Sequence, residues 1–279
     1  MIHIALPAFA LAVGALAFAA DAPLTGFDAD GAAAQRALEA DFATRLDAAE
    51  QEAWLKHLSE RPHHVGSERG RENAEWIRDR FREWGYDAEL VTYEILLPTP
   101  RLRRLEMTAP EPFTASLQEQ PVAGDPSTFM VDELLPPYHA FSVDGDVAGE
   151  LVFVNYGLEE DYAWLERHGI DVTGKIVIAK YGRSWRGIKP KIAAEHGAVG
   201  AVIYSDPADD GYGKGDTYPD GPWKHPTGVQ RGSVMDMPLR PGDVLTPNVG
   251  ATPDAERLDR ADVEVFTSIP VLPISYADA

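Results

Sequence analysis

Apolar positions recur at helical spacing early in the chain and run together as strands later on. Phe42, Leu46, Ala49, Ala53 and Leu58 fall on one face of a helix, which Pro62 ends. Ala74, Ile77, Phe81 and Trp84 mark one face of a second helix, and Gly85 stands where a terminating glycine belongs. Val91, Tyr93 and Ile95 then alternate as a strand, broken by Pro98 and Pro100. Residues 101–150 are proline-rich and predict short strands and loops without a helix. From there the pattern sharpens. ELVFVNYG (150–157), GKIVIAKYG (174–182) and GAVIYSDP (200–207) read as buried strands, separated by helical patterns at 159–169 and 188–198. Apolar strands alternating with single helices predict parallel pairing through right-handed crossovers. The tail, 208–279, is rich in Gly, Pro and Asp and ends SIPVLPISYADA.

Composition narrows the function classes. Hydrophobic residues make up 44% of the chain, enough for a real core. With 25 basic and 45 acidic residues the net charge is −20, which repels phosphate backbones and argues against a nucleic-acid partner. The chain has no cysteine, so disulfides, thiolate zinc sites and cysteine nucleophiles are excluded. Its first twenty residues hold an apolar run closing in Ala17-Phe18-Ala19, an A-x-A cleavage pattern. This predicts a signal peptide over 1–20 and a secreted or periplasmic product. The alternative is an uncleaved membrane anchor, for which the run is short. Residues 21–40 read as a flexible mature N-terminus.

RPHHVGSERG (61–70) offers two histidines close to a glutamate. Tandem His63 and His64 diverge on an extended backbone, and Gly66 and Ser67 separate them from Glu68. Ser67 suits a helix N-cap, with Glu68 in the first turn where the helix dipole favours an acid. The stretch therefore reads as a cap. Neither H-E-x-x-H nor G-x-S-x-G occurs. The acidic run 206–216 fails the EF-hand template, since counting from Asp206 puts Ala208 at position 3 and Thr217 at position 12. It reads as a solvated loop.

Several motifs occur in one order: GELVFVNYG, GKIVIAKYG, KIAAEHGAVGAVIYSDPADD, YPDG, GVQRGS, DVLTP and SIPVLPISYADA. Together they resemble the protease-associated domain of the glutamate carboxypeptidase II family, also called folate hydrolase or N-acetylated-alpha-linked acidic dipeptidase. Residues 61–100 are similar to the segment preceding that domain, so the likeness covers about 41–279. It implies an α+β (α/β) fold. Residues 101–279 would be a protease-associated domain of mixed β-structure with flanking helices. Residues 41–100 would be an incomplete N-terminal segment of an α/β zinc-peptidase domain, whose strand near 90–97 has no full sheet to join.

The family implies two zinc ions bridged by a carboxylate, with a glutamate base activating water between them. Its ligands follow the protease-associated domain, so no catalytic residue and no cofactor is expected for this chain alone. Lys180 stands where the family's arginine meets the terminal α-carboxylate, and Trp223 or Lys224 where an asparagine lies nearby. A lysine keeps the charge and loses the planar fork, leaving glutamate specificity open; otherwise Lys180 is a strand-end lysine in solvent. Thr246 and the backbone at Val249 match two oxygens of the family's calcium site, and half a site binds weakly. The resemblance implies the substrate-capping portion of an exported zinc carboxypeptidase acting on peptides or N-acyl amino acids. Trp76, Phe81 and Trp84 would pack on its catalytic half, supplied in cis or trans, and a homodimer is expected where they are bare. The alternative is a non-catalytic interaction module related to the transferrin-receptor-like branch.

Overall fold

A computed structural model describes residues 24–279 in two units, which divide after His57. The expected signal segment, 1–20, lies outside the described residues. In the first unit α1 spans Ala29–Thr44, capped by Asp28, whose carboxylate accepts from the Gly31 amide at 2.7 Å. Helix α2, Ala48–Ser59, follows after a break. Two features depart from the sequence reading. The stretch expected to be flexible carries most of α1, and the single helix expected through Phe42 and Leu58 is interrupted. Asp47 explains the interruption: its side chain accepts from the amides of Ala49 (2.8 Å) and Glu50 (3.3 Å), capping a new helix inside a continuous apolar pattern.

The second unit, Leu58–Ala279, opens with α3, Glu68–Glu83. Ser67 caps it as expected, its hydroxyl accepting from the Gly70 amide at 3.0 Å. Gly85 ends it at φ +88°, with the Tyr86 amide returning to the Phe81 carbonyl. The alternating Val91, Tyr93 and Ile95 lie in extended chain that joins no sheet, and all three are exposed.

Strands β1 (Glu106–Met107) and β2 (Phe113–Thr114) form an antiparallel hairpin. Next come β3 (His139–Ala140), β4 (Leu151–Phe153), α4 (Glu159–Arg167), β5 (Ile176–Lys180), α5 (Ile188–Glu195), β6 (Gly200–Tyr204) and the one-turn α6 (Pro207–Asp210). Strands β7 (Gly232–Ser233) and β8 (Val271–Ile274) complete the set, and β7 pairs in parallel with β3. The main sheet has the order β4-β5-β6-β8, all parallel, in register from Ile176 opposite Gly200 to Lys180 opposite Tyr204.

Because the strands follow one another in sequence order, α4 and α5 cover the same face. Tyr162 and Leu165 of α4 and Ile192 and Ala193 of α5 pack there on Val177, Ala179, Ala201 and Ile203. Ala115, Leu117 and Leu105, from the hairpin and its flanks, cover the other face over Ile178, Val202 and Ile274. Central strands buried on both sides explain the absence of a polar face in their sequences. The arrangement delivers four strand ends to one edge, where Tyr156, Lys180, Asp206 and Tyr276 follow or finish the strands.

Candidate functional site at the carboxyl edge of the sheet

In parallel sheets, ligands bind outside the carboxyl ends of the strands, and here that edge gathers charge. Lys180 ends β5. Its Nζ lies 3.6 Å from the Asp206 carboxylate and 4.3 Å from the centroid of the Tyr156 ring. With its side chain only 16% exposed, it is not the solvated strand-end lysine of the plainer reading. Asp206 also caps α6, accepting from the Ala208 amide. Tyr156 Oη donates to Asp209 at 2.6 Å, and Lys224 pairs with Asp210 at 3.2 Å. Three carboxylates of the acidic run are thus paired, while its residues 212–216 are exposed, as a solvated loop would be. The carboxylates of Asp206, Asp209 and Asp210 each hold a residue of the edge, since burying part of this charge requires partners.

Lys180 and Lys224 thus flank α6. Trp223 sits in the adjoining turn, where its carbonyl accepts from the Tyr218 amide at 3.0 Å.

The loops after β4 and β5 turn through left-handed backbone at Asn155 (φ +50°), Gly157 (+65°), Gly182 (+106°) and Arg183 (+66°). Such conformations cost a non-glycine residue about 1 kcal/mol or more and cluster at functional sites. Arg183 places its guanidinium 4.9 Å from the Tyr156 ring. Asn155 is fixed by donating to Asp161, whose second oxygen accepts from the Leu158 amide.

Lys189 of α5 escaped the sequence reading. It is 1% exposed, and its Nζ donates to the carbonyls of Tyr156 and Gly182, tying the two loops together. Burial lowers its pKa to about 8, with Asp161 opposing the shift. A signal was available: Lys189 precedes buried Ile192 and Ala193 by three and four residues, which places it on the inner face of the helix.

Behind the edge, His139 is buried against Tyr181. Its Nδ1 lies 3.2 Å from the Gly232 carbonyl, which can only accept, so Nδ1 carries the hydrogen. The Tyr181 hydroxyl lies 3.1 Å from Nε2 and donates its one hydrogen to the Gln230 carbonyl at 2.8 Å. Desolvation lowers the His139 pKa to about 3, and nearby Arg186 adds to the effect. Gly232 lies against the Arg186 guanidinium so closely that a Cβ would come within 2.1 Å of it.

Among the described residues no group of three or more His, Asp or Glu side chains could hold a metal ion. His63 Nδ1 meets the Arg61 carbonyl, and the neighbouring serine is occupied as a cap. Thr246 is fully buried and donates to Asp243, which also accepts from the amides of Leu96 (2.8 Å) and Leu245 (3.2 Å). Val249 is exposed, on a turn closed by its amide to the Thr246 carbonyl. Two neutral oxygens beside a committed Asp243 do not fit calcium by themselves. Asp243, unmarked in the sequence reading, instead fastens the extended segment at Leu96 to this turn.

A family model for the PA domain matches residues 147–237, the span that contains β4 to β7. A probable glutamate carboxypeptidase of Arthroderma benhamiae is 36% identical over 70% of this chain and 27% of its own length. The aminopeptidase NAALADL1 of Mus musculus is 34% identical over 93% of this chain and 36% of its own. The chain thus spans about a third of the length of the curated relatives it matches. Among solved structures, an aminopeptidase from Aneurinibacillus sp. strain AM-1 aligns with 68% of this chain and 35% of its own at 22% identity, with a TM-score of 0.41.

Proposed function

Because this chain belongs to the glutamate carboxypeptidase II-like family of zinc peptidases, we propose that it forms the substrate-facing, protease-associated portion of an exported carboxypeptidase. The substrate is a peptide or N-acyl amino acid, entering with its C-terminal carboxylate toward the edge of the parallel sheet. One observation carries this reading: Lys180 lies against the Tyr156 ring, with Lys224 paired to Asp210 at the far end of α6, at the edge where such sheets bind ligands. The relatives' printed names include both carboxypeptidases and aminopeptidases. The aspartates of this edge are paired by its own residues, while Arg183 beside the Tyr156 ring has no acidic partner among the described residues, and this favours the carboxyl end of a substrate.

The test is calorimetric titration of the chain with an N-acetyl dipeptide and with its C-terminal amide, at low salt. A charged hydrogen bond of about 1.5–3 kcal/mol predicts roughly ten- to a hundredfold preference for the free acid. Equal affinities would remove the reading and favour a non-catalytic interaction module.

Chemistry is assigned to a catalytic half in cis or trans. The described residues offer no zinc ligand set. Purified protein should carry well under one equivalent of zinc by elemental analysis and leave N-acyl dipeptides intact. Stoichiometric zinc with EDTA-sensitive cleavage would contradict this. Phe81 is 41% and Trp84 51% exposed, and Phe81 makes edge contacts with Trp84 and Tyr86, while Trp76 is half-buried. This aromatic face of α3 is the surface proposed to receive the catalytic half.

A further inference from the structure

We infer that Arg183, rather than Lys180, takes the anionic end of the ligand at the carboxyl edge of the sheet. The inference rests on the reading that this edge receives a carboxylate, and it reassigns the residue that does so. The other cations of the edge are already engaged. Lys180 is paired with Asp206 and largely covered, Lys224 is paired with Asp210, and Lys189 is buried on two carbonyls. Arg183 is exposed, and among the described residues no carboxylate lies within ion-pair distance of it.

Its position is nevertheless specified. The guanidinium is held 4.9 Å from the Tyr156 ring that Lys180 also approaches, and the ring is anchored by its hydroxyl to Asp209. The backbone of Arg183 sits at φ +66°, unfavourable for an arginine, directly after Gly182, whose carbonyl Lys189 holds. A guanidinium held against a ring keeps its donors available, and its planar fork matches a carboxylate through two parallel hydrogen bonds. That is the geometry a lysine at 180 cannot supply. Lys180 then acts by sustaining positive potential beside the ring.

Titration with N-acetylglycylalanine and its C-terminal amide tests this, using the intact chain and the variants Arg183→Ala, Arg183→Gly, Arg183→Lys and Lys180→Ala. Loss of the guanidinium should weaken free-acid binding about tenfold or more, Arg183→Lys should retain part of it, and amide binding should not change. Arg183→Gly suits the left-handed backbone, so it should lose the same affinity with an equal or higher thermal midpoint. That combination separates a ligand role from a structural one. Lys180→Ala removes a charge already paired with Asp206, so it should weaken free-acid binding less than loss of the Arg183 guanidinium does. If Lys180→Ala abolishes free-acid binding while the Arg183 variants keep it, the inference fails and the carboxylate reading stands. A wild-type chain that does not distinguish acid from amide overturns both.

Discussion

Between pH 7 and pH 4 the wild-type fold is expected to lose about 3 kcal/mol more stability than a His139→Asn variant. His139 is held neutral in the folded state. Burial lowers its pKa from the ordinary 6.5 to about 3, and its Nδ1–H is committed to the Gly232 carbonyl. The unfolded chain therefore takes up a proton near pH 6.5, whereas the folded chain resists until about pH 3. The contribution is fully present above pH 6.5 and is lost as the pH falls toward 3. Asparagine can still donate to the Gly232 carbonyl, and the Tyr181 hydroxyl keeps the Gln230 carbonyl as its acceptor. The variant should be less stable at neutral pH, because a smaller side chain leaves space in the core, and its stability should fall less steeply with acid. Urea unfolding of both proteins at half-unit pH steps measures the difference, in which shared carboxylate titrations cancel. Parallel stability curves would mean that the imidazole is protonated in the folded state, and the hydrogen-bond assignment behind β5 would be wrong.

The parts of the fold legible in sequence are those decided by local pattern. Apolar runs at 150–157, 174–182 and 200–207, with helical spacing between them, give the parallel strands and their covering helices, because burial on both faces removes polar alternation. Ser67 was readable as a cap because capping depends on a few neighbouring residues. Asp47 follows the same chemistry and was masked by the apolar pattern that continues through it. Tyr93 and Ile95 alternate like strand residues, but a strand needs a partner, and partners are set by tertiary structure.

The site divides in the same way. Lys180 was found through family resemblance, yet neither its pairing with Asp206 nor the ring of Tyr156 can be seen in one dimension. His139 and Tyr181 meet across 42 residues of sequence. Lys189 was passed over because a lysine reads as surface, although its spacing to Ile192 and Ala193 marks the inner face.

Lys189 also carries the second large effect. Raising the pH from 8 to 10.5 should stabilise the wild-type fold by roughly 3 kcal/mol relative to Lys189→Met. The folded pKa is lowered from 10.5 to about 8 by burial. Across that window the unfolded chain keeps its proton while the folded chain has released it, so folded stability rises with pH. Below pH 8 the ammonium is charged in both states, and the fold bears the cost of desolvating it. Its donation to the Tyr156 and Gly182 carbonyls offsets part of that cost. Methionine fills similar volume without the charge, so at neutral pH it sheds the desolvation cost and leaves two loop carbonyls without their donor. Those carbonyls belong to the loops that place Tyr156 and Arg183. The variant should therefore remain folded at pH 7 and lose free-acid binding, while its affinity for the amide holds. Denaturant unfolding from pH 7 to 10.5, paired with titration of N-acetylglycylalanine at pH 7, separates the two consequences. A stability difference that stays level between pH 8 and 10.5 would mean that the ammonium reaches water. Intact free-acid binding in Lys189→Met would mean that the loops hold their left-handed turns without it.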